Sequence, residues 1–318
     1  MKNNILKVVF VNLLIFCFFL MLIEAYSYHK YYKQVEKLMN MQSKMLSRTQ
    51  QLRYTMPIFF NIDTYRYNFR YNKGSNPHKK PVLFLGCSYT AGEGLDNNQK
   101  FDYKVSKTTG RSTYSRAISG GGPQHMYYDF KTGMVKKEVP EVGVIVYTFV
   151  PDHVFKPLEY RMSYLSTRLN VRYAFKDGEL REIKPFMPIM YSSFFVKRTQ
   201  DRLVDFKYAQ LDKEGRQFEI FNALMKELMR YSREYYPNSK FVILEYPSHI
   251  FDIYNRNVYA FPKNEVKYLE GLGFIVINAK KLTGEPLEKS EYRTEDNDHP
   301  NEKAWDAIVP KLVKILNL

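Results

Sequence analysis

Cysteine is scarce in this chain of 318 residues, which contains only two. Cys17 lies in an N-terminal apolar stretch and Cys87 lies in the interior of the sequence, so we do not expect the two to pair. A disulfide framework of the kind that stabilises small secreted domains is therefore excluded. The two cysteines leave open whether the compartment is oxidising or reducing.

Acidic residues are also few, since 33 Asp and Glu stand against 48 Lys and Arg, a net charge of +15. This surplus suits an anionic partner such as a membrane surface or an acidic polysaccharide, but we favour the simpler explanation of a basic surface without a specific partner. Because there is no Arg-rich tract and no zinc-finger spacing, we expect no nucleic-acid partner. The spacing of His125, His153 and His249 does not suit a metal site, and we expect no metal and no cofactor.

The N-terminus holds a long apolar run. Residues 8–23 are apolar except for Asn12, and Lys2 and Lys7 precede them. The run is about long enough to cross a thin bilayer, and the lysines favour a cytoplasmic N-terminus. We therefore predict a transmembrane signal anchor over residues 1–27, with the rest of the chain extracytoplasmic. Ala25-x-Ser27 is a candidate signal-peptidase site, but the run is long for a cleaved signal peptide.

Two further segments precede the strands. Residues 28–56 are polar with loosely spaced Leu and Met, which predicts a helical stalk that Pro57 ends. Residues 57–318 form the main domain, which begins with a connecting segment over residues 58–80.

The main domain also carries an insertion at about residues 155–210, which we interpret as a lid or a wall of the substrate site. A turn at residues 176–179 predicts a hairpin there, and residues 186–196 are apolar and aromatic. A loop that touches the membrane is the alternative for this insertion.

Apolar runs alternate with helical patterns through the rest of the chain. This alternation predicts an α/β fold, a three-layer α/β/α sandwich around a mainly parallel five-stranded sheet. The predicted strands are residues 82–85, 113–118, 142–150, 241–246 and 274–278, and the predicted helices are residues 123–137, 213–235, 263–270 and 302–316.

The first strand leads into the most informative stretch, GCSYTAGEG at residues 86–94. An apolar run followed by glycines indicates a buried strand that ends in a tight turn, and sites form at the carboxyl ends of parallel strands. Ser88 is the candidate nucleophile there. Cys87 is a weaker candidate because adjacent residues on a turn point in different directions. The alternative for Ser88 is a serine that caps the next helix.

A serine hydroxyl needs a base, and the base needs an orienting carboxylate. The sequence Asp296-Asn297-Asp298-His299 supplies both, with His299 as the base and Asp296 as the orienter. Asp298 is a rival for the second role, or a cap for the last helix.

These stretches resemble the conserved blocks of the SGNH/GDSL hydrolases. GCSYTAGEG is similar to the first block, Gly-Asp-Ser-x, and DNDH matches the last block, Asp-x-x-His. Ala117-Ile118-Ser119-Gly120 resembles the second block, in which a glycine N–H helps to bind the oxyanion. The resemblance implies a serine esterase with an oxyanion hole formed by the backbone N–H groups of Ser88 and Gly120. The alternative for Gly120 is a flexible turn.

The chain departs from the family pattern at two positions. Cys87 replaces the usual Asp, and Pro151 stands where the third block has an Asn that donates to the oxyanion. Loss of one such donor costs about 100- to 1,000-fold in rate. His153 is a candidate extra donor. The resemblance thus implies an ester substrate, such as an acylated polysaccharide or a lipid; an O-acyltransferase and an inactive binding or assembly protein are the alternatives.

Overall fold

The structure is a computed structural model that describes residues 68–118, 120–154, 156–157, 173–176, 179–182, 218–247, 261–295 and 299–318, with scattered positions between residues 12 and 29. Those scattered positions are helical, and their apolar side chains, such as Phe16 and Met21, are exposed. No helix in this described part of the chain is both long and apolar enough to cross a membrane. Most of the predicted anchor and nearly all of the predicted stalk lie outside the described residues.

The described residues form eight strands. In chain order these are β1 (Asn68–Asn72), β2 (Val82–Gly86), β3 (Thr113–Ala117), β4 (Val144–Phe149), β5 (Tyr173–Lys176), β6 (Glu179–Glu182), β7 (Lys240–Glu245) and β8 (Ile275–Asn278). Six of them build one sheet in the order β1-β3-β2-β4-β7-β8, in which only β1 runs antiparallel to its neighbour. The five predicted strands are confirmed as the parallel part of this sheet.

The prediction of a connecting segment over residues 58–80 is wrong in part, because this range contains β1. The sequence of β1, NFRYN, has no apolar run, and its pairing depends on distant residues. The Arg70 guanidinium donates to Ala91 O at 2.7 Å and lies 2.9 Å from an Asp102 carboxylate oxygen. Asn72 Nδ2 donates to the same carboxylate at 3.0 Å. Such contacts between distant residues leave no periodic signal in the strand itself.

The helices cover both faces of the sheet, which confirms the predicted three layers. They are α1 (Ser88–Ala91), α2 (Phe101–Thr109), α3 (Pro123–Lys131), α4 (Met134–Glu138), α5 (Glu219–Tyr235), α6 (Lys263–Leu272), α7 (Ala279–Thr283) and α8 (Glu302–Leu316). Side chains alternate along each strand, so Leu83 and Leu85 pack with α3 to α6, whereas Val82 and Phe84 pack with α2, α7 and α8.

Glycine divides one helix that the sequence predicts as continuous over residues 123–137. Gly133 has a φ of +72° and separates α3 from α4, because a left-handed residue cannot continue a helix. The last predicted helix, residues 302–316, is confirmed as α8. Its N-cap is Asn301, whose side chain accepts from Ala304 N at 3.1 Å, so Asp298 does not hold the N-cap position.

The predicted hairpin within the insertion is confirmed, since β5 and β6 pair antiparallel. Tyr173 on β5 is fully buried, and its ring meets Tyr127 of α3 at a centroid distance of 4.8 Å. The hairpin therefore packs on the helical layer that contains α3. The rest of the insertion, including residues 186–196, lies outside the described residues.

The strand order places one crevice in the sheet. From β2 the chain moves first to β3 on one side and then to β4 on the other. The connections that follow β2 and β3 therefore run in opposite directions along the sheet. The space between the carboxyl ends of β2 and β4 is the topological switch point, where open α/β sheets bind ligands.

Candidate active site

Ser88 lies at this switch point, directly after β2. Gly86 has a φ of +147°, and a Cβ on it would lie 2.3 Å from Thr90 Oγ1, so only glycine fits this turn. Thr90 Oγ1 donates to Leu85 O at 3.2 Å and fastens α1 to the end of β2. The N-cap of α1 is Cys87, and Ser88 is the first helical residue. The alternative of a capping serine therefore does not apply.

Cys87 is buried, with 1% of its surface exposed. Burial raises the pKa of the Cys87 thiol to about 11, while the Lys156 charge lowers it and the Asp152 charge raises it by smaller amounts. A thiol with this pKa is protonated at neutral pH and is a poor nucleophile. Of the two adjacent candidates, the structure thus favours Ser88.

His299 lies against the segment that follows Ser88, although about two hundred residues separate them in sequence. Its ring meets the ring of Tyr89 at a centroid distance of 5.3 Å, and its Nε2 lies 3.6 Å from a carboxylate oxygen of Glu93. The backbone of His299 is held as well, because its carbonyl accepts from Thr294 N at 2.9 Å. The structure therefore brings the predicted base to the helix that carries the predicted nucleophile.

Glu93 is a contact of His299 that the sequence analysis missed. It belongs to the GCSYTAGEG stretch, and its N–H donates to Ser88 O at 3.2 Å. The sequence feature that could have identified Glu93 is its position five residues after Ser88, the candidate nucleophile. Asp296 and Asp298, the two predicted orienting carboxylates, lie outside the described residues, and the role of Asp296 stays a prediction.

In the glycine turn after β3, one of three N–H groups has no acceptor among the residues that the structure describes. Gly121 N donates to Ile118 O at 2.7 Å, and Gly122 N donates to His125 Nδ1 at 3.1 Å. Gly120 has a φ of +72° and is exposed, and within the described residues its N–H makes no hydrogen bond. Of the three glycines, Gly120 is thus the one whose N–H is available to a ligand, while its role in an oxyanion hole stays a prediction.

The third block forms a short 3-10 helix, Pro151–Val154, directly after β4. His153 is fully buried, and its Nδ1 lies 2.6 Å from the Tyr147 hydroxyl. Burial, reinforced by the Lys156 charge, holds the pKa of His153 well below its usual value, so the ring is neutral at physiological pH. Its Nε2 has no hydrogen-bond partner in the described part of the structure and lies 3.9 Å from Asp152 Oδ1. Donation from His153 to an oxyanion stays a prediction.

A buried ion pair follows the 3-10 helix, and the sequence analysis missed it. Lys156 Nζ lies 2.9 Å from Asp152 Oδ2, with side chains that are 5% and 15% exposed. The spacing of four residues between an acid and a base was the available signal. Two other histidines were considered for a metal site in the sequence. His125 is buried and its Nδ1 accepts a hydrogen bond from Gly122 N, and His249 lies outside the described residues. The described residues contain no group of three or more His, Cys, Asp and Glu able to hold a metal ion.

An open cleft of about 510 Å³ lies between the end of the GCSYTAGEG stretch, at Gly94 and Leu95, and a second wall that includes Arg293, Thr294 and Asn301. Its lining combines apolar and polar surface.

No sequence family model and no curated protein matches this chain. Solved structures to which it is similar include TesA, with 12% identity and a TM-score of 0.44 over 74% of this chain and 98% of that one. Another is a member of the lipolytic G-D-S-L family from Veillonella parvula, with 11% identity and a TM-score of 0.41 over 74% and 98%. A third is a family 3 carbohydrate esterase from Clostridium thermocellum, with 10% identity and a TM-score of 0.41 over 74% and 94%. The similarity is one of general fold and assigns no residue role.

Proposed function

We propose that this protein is a serine esterase or acyl hydrolase of the SGNH type, with Ser88 as the nucleophile, His299 as the base and Asp296 as the orienting carboxylate. Ser88 Oγ attacks the ester carbonyl while His299 accepts the hydroxyl proton. His299 then returns the proton to the leaving alcohol, and a water activated by the same imidazole resolves the acyl-enzyme. Asp296 stabilises the imidazolium in both steps.

The observation that carries this proposal is the contact between His299 and the Ser88 helix. His299 packs on Tyr89, the residue next to Ser88, at the carboxyl edge of the sheet where the strand order reverses. The contact of His299 with the residue next to Ser88 supports a pairing of the two, because nucleophilic catalysis requires a base near the hydroxyl.

The oxyanion would be held by two backbone groups in this proposal, the N–H groups of Ser88 and Gly120. The pairing of the neighbouring glycine N–H groups supports the choice of Gly120. Pro151 offers no side-chain donor, and His153 is the third candidate. The missing donor motivates the alternative that the fold serves a binding or assembly role without turnover.

We favour an acylated polysaccharide as the substrate, with an O-acetyl ester as one such group, because a net charge of +15 suits an acidic glycan. An O-acyltransferase uses the same acyl-enzyme with a sugar hydroxyl in place of water. We further propose that the apolar run over residues 8–23 anchors the protein in a membrane, with the hydrolase domain on the extracytoplasmic side.

A fluorophosphonate probe tests the nucleophile. The full-length protein in detergent should form an adduct at Ser88 that peptide mass spectrometry locates, and Ser88→Ala should remove it. Ser290→Ala is the matched control, since Ser290 lies in a surface 3-10 helix, and it should label like the wild type. A folded wild-type protein without an adduct would contradict the esterase and favour the binding role.

A further inference from the structure

The ion pair between Asp152 and Lys156 has no part in the mechanism proposed above, yet it lies at the same edge of the sheet. Both residues follow β4, and both are largely buried. A buried ion pair is a poor device for stability, because desolvation of the two charges offsets most of their attraction and an apolar pair of similar size serves as well. The presence of two charged residues at this position therefore needs an explanation other than stability.

Lys156 contacts the glycine turn and the start of α3, which follow β3. Its carbonyl accepts from Gln124 Nε2 at 3.1 Å. A Cβ on Gly122 would lie 2.8 Å from Lys156 Cβ, so the glycine lets the lysine stem pass close to this turn. Gly122 is two residues after Gly120, the candidate oxyanion donor.

Lys156 also acts on the first block. Its charge and that of Asp152 both affect the Cys87 thiol, and Cys87 is the residue before Ser88. The ion pair thus lies among the three turns that follow β2, β3 and β4. These are the same turns that would supply the nucleophile, the Gly120 N–H and, in the family pattern, the absent Asn.

We propose that Lys156, fixed by Asp152, supplies the positive potential that stabilises the oxyanion in place of the Asn that Pro151 replaces. This inference rests on the proposed esterase function. Lys156 acts through its field on charge that develops at the Ser88 and Gly120 amides, so it is a positioning residue. A fixed charge in a site that excludes water is effective because it needs no reorganisation during the reaction.

The test compares three forms of the full-length protein. D152N/K156M removes both charges of the pair together, whereas K156R keeps the positive charge. E141Q/K80M is the matched control, since it removes an exposed ion pair at the opposite edge of the sheet. The rate constant for fluorophosphonate labelling at Ser88 and the kcat and KM for p-nitrophenyl acetate are measured per folded molecule, with folding checked by thermal denaturation.

D152N/K156M should lower the labelling rate and kcat by at least about tenfold, below the 100- to 1,000-fold loss of a donor in direct contact, and should leave KM nearly unchanged. K156R should recover most of the loss, and E141Q/K80M should match the wild type. A folded D152N/K156M that labels within about twofold of the wild type overturns the role of Lys156 alone. Failure of K156R to recover any activity while folded also overturns it. A wild type that does not label at Ser88 overturns this inference together with the esterase.

Discussion

Two adjacent side chains, Cys87 and Ser88, differ in chemistry because of where they point. Cys87 is buried under the turn, whereas Ser88 is partly exposed at the first position of α1. Burial penalises the thiolate, so Cys87 stays uncharged at neutral pH beside the candidate nucleophile Ser88.

Cys87 should make the protein less stable in alkali. Its folded pKa of about 11 is raised above the ordinary value of 9.0, so its contribution to stability is complete below about pH 9 and is lost as the pH rises towards 11. We expect the wild type to lose about 1 kcal/mol more than Cys87→Ala between about pH 8 and pH 10, because the unfolded thiol ionises first.

Urea denaturation of both proteins at the two pH values measures this difference. Packing lost in Cys87→Ala is the same at each pH and cancels. Cys17→Ala is the matched control and should follow the wild type. Equal pH dependence in the wild type and Cys87→Ala would mean that Cys87 is exposed to solvent.

At the level of elements, β1 depends on Asp102 of α2. The Asp102 carboxylate, in a residue that is 1% exposed, accepts from Arg70 at the centre of the strand and from Asn72 at its end. The hydrogen bonds to β3 alone define the register, while these side-chain bonds fix β1 to the helical layer behind it.

Asp102→Ala should therefore destabilise the protein by about 3 kcal/mol, because it leaves the Arg70 guanidinium without its carboxylate partner and removes the hydrogen bonds of Arg70 and Asn72 to that carboxylate. Thermal or urea denaturation measures the loss, and hydrogen exchange should show faster exchange in β1 than in β4. Glu141→Gln, which breaks an exposed ion pair with Lys80, is the control and should leave the midpoint unchanged. An Asp102→Ala protein as stable as this control would contradict the account of β1.

For the whole molecule, two physical explanations compete for any attachment to a membrane. One is the apolar run over residues 8–23, and the other is the net charge of +15 acting on anionic lipid. Salt distinguishes them, since high ionic strength screens surface charge and does not weaken apolar insertion.

We expect the full-length protein to sediment with membranes in about 1 M NaCl and at alkaline pH, and to require detergent for release. Removal of residues 1–27 should release it into the supernatant. Lys2→Gln with Lys7→Gln is a control that keeps the apolar run and should still sediment. Release of the full-length protein by salt alone would contradict the anchor and favour electrostatic adsorption.

Local sequence determined much of this protein. The apolar runs at residues 82–85 and 142–150 predict buried strands because each is short, β-branched or aromatic and bounded by turn residues, and the same is true of residues 241–246 and 274–278. Local sequence also determines the turn at Gly86 and the positions at which α8 begins and ends. The position of Ser88 at the carboxyl end of a central strand follows from these features.

Tertiary structure decided what depends on contacts between distant residues. β1 pairs with β3 and is held to α2 by Asp102. Lys156 packs against Asp152 and the turn at Gly122, and Glu93 lies beside a histidine about two hundred residues away in sequence. None of these leaves a periodic pattern, since each depends on where a distant part of the chain lies. The sheet order, which places the ends of β2 and β4 side by side, is the physical reason that these residues share one site.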